Sequence, residues 1–218
     1  MDTDRMVGFG GKQAWLAIRD TDPARVLAAL GLRELGEVSW RNGIDLAHLT
    51  DDRVAVTPAL PGARGEKWVL AVGRYLLRPD VTVDVTDLSE RLQTEVQFFA
   101  THRTTESHRW QRAAQGSLLR AFGYVGQTGD VTSWFGDPDP AERAAGLPAT
   151  ITPGADRKPA ADPFEAELAE LLLAEGDEDV TVLVSEQDVL RVADGWSLDP
   201  TSLDGRPAPG PVLVGASS

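Results

Sequence analysis

The chain has 218 residues, no cysteine and a net charge of −13. Without thiols there is no disulfide framework, thiol nucleophile or cysteine-based metal site. The excess of Asp and Glu (34) over Lys and Arg (21) works against binding nucleic acid through its phosphates.

A chain of this size buries roughly 70% of its unfolded surface, so it needs no crosslink or structural metal to fold. No window approaches the roughly 20 apolar residues of a membrane span. The opening MDTDRMVGFGGKQAW lacks a basic leader followed by an apolar run. The expectation is a cytoplasmic protein with no membrane partner. Lysine occurs only at Lys12, Lys67 and Lys158, a bias typical of GC-rich bacterial coding.

In chain order, GFGGKQ at 8–13 fails the phosphate-loop pattern. Met6 stands where a glycine is needed and Gln13 where Ser or Thr is needed. It reads as a glycine-rich arm. A strand is expected over Gln13 to Arg19. DTDPARVLAALGL then gives an Asp22 cap, Pro23 at the first helical position and a stop at Gly31. RVAVTPAL and KWVLAVGRYLL read as strands. TDLSERLQ reads as a helix start, with Asp87 and Glu90 at capping-box spacing.

From Val96 the segments EVQFFATHR, HRWQRAA, SLLRAFGYVG and VTSWFG are short and separated by glycine-containing turns, the pattern of an antiparallel meander. DPDPAERAAGL reads as a capped helical turn. Residues 148–163 carry four prolines and read as a linker. Phe164, Leu168, Leu171 and Leu172 share one face of an amphipathic helix. SEQDVLRVADGW is a second helix, opened by Ser185 and Asp188. The expected fold class is α+β, an antiparallel sheet with helices on one face. Its divisions are an α+β core over 1–147, the linker over 148–163, a helical segment over 164–203 packing on that core, and a flexible tail over 204–218 whose PVLV is the one candidate edge strand.

The run FFATHRTTESHRW at 98–110 gathers His102, Glu106, His108, Arg103, Arg109 and Trp110. On one straight strand the two histidines would lie roughly 20 Å apart, and on a helix they would occupy different faces. Only a hairpin unites them. An odd loop pairing Arg103 with Ser107 sets His102 opposite His108. An even loop over TTES pairs His102 with Arg109 and puts the rings on opposite faces. The turn residues do not choose between these registers. His102, Glu106 and His108 are therefore candidate catalytic residues, with a histidine as general acid–base. Arg103, Arg109, Trp110, Trp196 and Asp199 are candidate binding residues, the last two within GWSLDPTSL, although buried core anchoring is the default reading of every tryptophan in the chain. No metal ligand set and no cofactor motif stands out.

Those same stretches carry a resemblance. The ThrHisArg…Glu…His…Trp run, the aromatic meander and the late TrpSer…AspPro turn resemble an uncharacterised family of bacterial α+β proteins. The resemblance implies one fold continuing across the linker, with the late helix on the meander. It implies no activity. The functional expectation is a non-enzymatic protein-binding module of immunity or regulatory type, acting through a polar, aromatic strand face on a protein partner that acidity suits to be basic. The alternatives are a small enzyme using His102 or His108, or a small-ligand sensor with its pocket between meander and helix.

Overall fold

The computed structural model describes residues 4–102, 105–147 and 184–217. The linker over 148–163, the helix expected from Phe164 and the side chain of Arg103 lie outside the described residues. The elements run β1 (Ala14–Arg19), α1 (Pro23–Ala29), β2 (Arg33–Val38), α2 (Trp40–Leu49), β3 (Arg53–Val56), β4 (Leu60–Pro61), β5 (Lys67–Val72) and α3 (Val85–Leu92). They continue through β6 (Glu95–His102), β7 (Ser107–Ala114), β8 (Ser117–Val125), β9 (Asp130–Phe135), α4 (Pro140–Ala144), α5 (Glu186–Trp196) and β10 (Val212–Ala216).

These strands form one ten-stranded sheet in the order β2-β10-β3-β5-β1-β6-β7-β8-β9, with the short β4 paired to β5. Every strand pairing within it is antiparallel. The class is α+β, as the sequence implied.

Helices cover both faces of the sheet rather than one. Trp15 and Ala17 of β1 join a cluster with Trp40, Trp68, Phe99, Trp110, Phe122 and Trp196, beneath α2 and α5. Leu16 and Ile18 of the same strand join a second cluster with Leu27 of α1 and Leu88 of α3. The reason is visible in AWLAI and WVLAV. A strand apolar at every position, with no alternation, is a strand buried on both sides. The first face is held by aromatic stacking: Trp110 lies 4.4 Å from Phe122 and Trp15 lies 5.2 Å from Phe99, centroid to centroid. Each such pair contributes about 0.5–1.5 kcal/mol beyond its burial.

Two further differences bear on the site. The tail, expected to be flexible with PVLV at most an edge strand, instead supplies β10, inserted between β2 and β3 with all five residues buried. Three apolar residues between a proline and a glycine, Val212 to Val214, are too short a run to show a period. α2 was not anticipated either. Its cap is Ser39, its body holds Gly43, and its first backbone amide, at Trp40, donates to Asp4 at 2.9 Å. α3 starts earlier than the sequence suggested, because Asp84 accepts from the amides of Thr86 and Asp87. The capping boxes of Asp139 with Glu142 and of Ser185 with Asp188 both form.

Candidate functional site

The β6–β7 hairpin settles the register. His102 pairs with Ser107 and Thr101 pairs with His108, so the loop is even and spans 103–106. The expected even loop lay one residue later, but its parity has the same consequence. His108 shares the first face with Thr101 and Trp110, while His102 points to the opposite side. No single metal or proton relay can use both rings.

His102 is exposed, and its Nδ1 meets Thr105 Oγ1 at 3.1 Å. His108 is 6% exposed and its Nδ1 has no hydrogen-bond partner. Burial pushes the His108 pKa below its ordinary value, and the charges of Glu186, Asp188 and Glu106 offset this only in part. Glu106 closes the turn in the left-handed region, with φ of 50°, and its carbonyl accepts from Gly126 N–H at 3.0 Å.

Of the expected binding residues, Arg109 is exposed, with its guanidinium 5.3 Å from the Phe98 ring centroid. Trp110 and Trp196 are core residues, 0% and 2% exposed, and present no ring to solvent. The Trp110 indole donates to Glu142 at 2.7 Å and the Trp196 indole donates to Asp139. A buried indole needs such a partner, and the caps of α4 supply it. Asp199 caps the 3-10 turn Pro200–Leu203 by accepting from Thr201 N–H at 2.8 Å.

The polar groups under α5 form ion-pair knots. Glu95, its side chain 4% exposed, takes Arg64 at 3.0 Å, Arg112 at 2.7 Å and Gln97 Nε2 at 2.8 Å. Burial pushes its pKa up, but the hydrogen bonds from Arg64 and Gln97 and the charge of Arg112 outweigh it, and the net shift is downward. Glu142 receives Arg120 at 2.8 Å besides Trp110. These carboxylates are enclosed by their own cations and tie strands to helices.

An open cleft of about 480 Å³ lies elsewhere, where three distant segments meet. The glycine-rich arm contributes Val7, Phe9 and Gln13; α2 contributes Ile44, Asp45 and His48; the turn after Asp199 contributes Thr201 and Asp204. The arm is held by exchange with the chain end: Met6 N–H donates to Arg206 O at 2.8 Å, and Gly205 N–H to Met6 O at 3.0 Å. Its glycines serve that packing. A Cβ on Gly8 would stand 2.8 Å from Thr201 O, and Gly10 sits at φ of 118°. Gln13, 7% exposed, accepts Gly10 N–H at 2.9 Å through Oε1, while its Nε2 lies 2.8 Å from His48 Nδ1.

No protein family, curated protein or solved structure matches this chain. The site therefore stands on its geometry. From the sequence, Asp199 in the late GWSLDPTSL turn stood as a binding candidate, and the glycine-rich stretch at 8–13 was read as an arm with no site role. Sequence reasoning missed His48, Asp45 and Gln13, because nothing local links a helix at 40–49 to residues 7–13 or 200–204. The one available signal was Ser39 before an amphipathic run.

Proposed function

We propose that this protein is a binding module whose recognition site is the cleft between the glycine-rich arm, α2 and the turn at 200–204. The carrying observation is the convergence of three chain segments on one open space of about 480 Å³, within the roughly 300–1,000 Å³ range of ligand sites. Its lining combines an apolar floor at Val7, Phe9 and Ile44 with polar groups at Gln13, Asp45, His48 and Asp204. A floor that supplies contact area and a few directional groups that supply selectivity are what a binding site requires. An immunity-type or regulatory role toward a basic protein suits a chain of net charge −13. The separation of His102 from His108 removes the support for an enzyme built on both rings.

The test is a thermal-shift screen of metabolites and peptides against the wild type and Asp45→Trp. Residue 45 is exposed on α2, so the larger side chain fills the cleft without entering the core. Compounds that bind the wild type raise its melting temperature by mass action and lose that effect on Asp45→Trp. Ligands or partners that bind both proteins equally would overturn the assignment of the site.

A further inference from the structure

The cleft also restricts the chemistry of its occupant, an inference that rests on the reading above that the cleft is the binding site. Two carboxylates line it from different elements, Asp45 on α2 and Asp204 after the 3-10 turn, and among the described residues neither Lys nor Arg lines it. Asp204 Oδ1 accepts from Gly8 N–H at 3.1 Å. Asp45 makes no hydrogen bond or ion pair among the described residues. An anionic group entering here would meet two like charges.

The second observation concerns the imidazole. Gly10 N–H is a donor, so Gln13 Oε1 must face it, which fixes the amide's orientation. Gln13 Nε2–H therefore donates to His48 Nδ1. The ring then carries its proton on Nε2, which has no partner among the described residues. His48 thus lines the cleft as a hydrogen-bond donor, held in that tautomer by a side chain that is itself buried. The cleft asks at once for a cation and for an uncharged acceptor oxygen.

We propose that the cleft receives a Lys or Arg side chain of a partner protein. Its cationic head meets Asp45 and Asp204, its methylene stem covers Ile44 and Phe9, and a backbone carbonyl of the same peptide accepts from His48 Nε2–H. A basic residue within a peptide carries the cation, the apolar stem and the carbonyl together. A free amine lacks the carbonyl, and a neutral side chain leaves both carboxylates without a counter-charge.

NMR titration, following His48 and Ile44 signals, tests this with four probes: acetyl-Gly-Arg-Gly-amide, its citrulline counterpart, acetyl-Gly-Glu-Gly-amide and agmatine. The arginine peptide is expected to bind at least about tenfold more tightly than the citrulline and glutamate peptides. It should also bind more tightly than agmatine and weaken as salt screens the charges. Asp45→Asn, at an exposed position, should reduce its affinity about tenfold without lowering the melting temperature. Equal binding of the citrulline peptide would refute the cation requirement, and agmatine binding as tightly would refute a peptide source. If the ligand screen yields cleft-dependent hits but the arginine peptide does not bind, this inference falls while the cleft remains the site. Failure of both experiments removes the site itself.

Discussion

His108 shows how a single residue changes meaning when its register is known. On the sequence it was one of two histidines beside a glutamate; in the fold it is a buried ring beneath α5 with an unpaired Nδ1. The groups facing it are Glu186 and Asp188 from α5 and Glu106 from the hairpin loop. Desolvation nonetheless prevails and its pKa lies below the ordinary 6.5, so the native ring stays neutral where the unfolded ring takes up a proton. Stability rises with pH wherever the unfolded state binds more protons. The contribution of His108 is therefore complete above about pH 6.5 and is lost as pH falls through its lowered native value. Urea denaturation between about pH 7.5 and 5.5 should show falling stability for the wild type and a flatter profile for His108→Leu. A wild-type profile with no slope across this window would contradict the assignment.

At the scale of elements, α2 is the part that carries Asp45 and His48, and Gly43 sets how near it comes to the sheet. A Cβ at Gly43 would stand 2.1 Å from Val212 Cγ2 of β10. Alanine favours a helix over glycine by about 1 kcal/mol, but overpacking costs about 1–3 kcal/mol, and at so short a distance the clash prevails. Gly43→Ala should therefore lower stability by about 1–2 kcal/mol in chemical denaturation, and Val212→Ala, itself destabilising because Val212 is buried, should cost less in the Gly43→Ala chain than in the wild type. Additive effects of the two substitutions would show that they do not meet. The same helix marks the limit of what was legible in the sequence. The meander was plain because its turns are short and rich in glycine, and α1 was plain because Asp22, Pro23 and Gly31 punctuate it. A glycine in mid-helix hid α2, since its purpose is a contact with a strand 169 residues later in the chain (212 minus 43). Core burial is the default reading of Trp110 and Trp196, and both are buried, but the groups that receive their indole N–H, Glu142 and Asp139 at the start of α4, depend on α4 folding back over the sheet. The register at 103–106 was reduced to a question of parity that only long-range pairing could answer.

Across the whole molecule, the chain end closes what the chain start opens. Among the described residues β10 is the sole bridge between β2 and the remainder of the sheet, with Val212 in one core cluster and Leu213 in the other. The preceding residues 205–208 hold the arm whose glycines line the cleft. Sheet, core and site are thus coupled through the last segment of the sequence. Deleting residues 211–218 would leave β2 without a partner and expose the facing edge of β3. It would also remove the apolar contacts of a strand whose five residues are all buried. Each fully buried Val or Leu contributes about 1.5–3 kcal/mol, so losing Val212, Leu213 and Val214 together removes an amount comparable to the total stability of many domains, about 5–15 kcal/mol. The truncated chain should lose its cooperative thermal transition and its dispersed amide NMR signals. A synthetic peptide spanning residues 205–218, added in excess, should restore both by supplying the missing strand. A truncated chain that still melts cooperatively near the wild-type temperature would show that β10 is dispensable, and the coupling of sheet to cleft would fail with it.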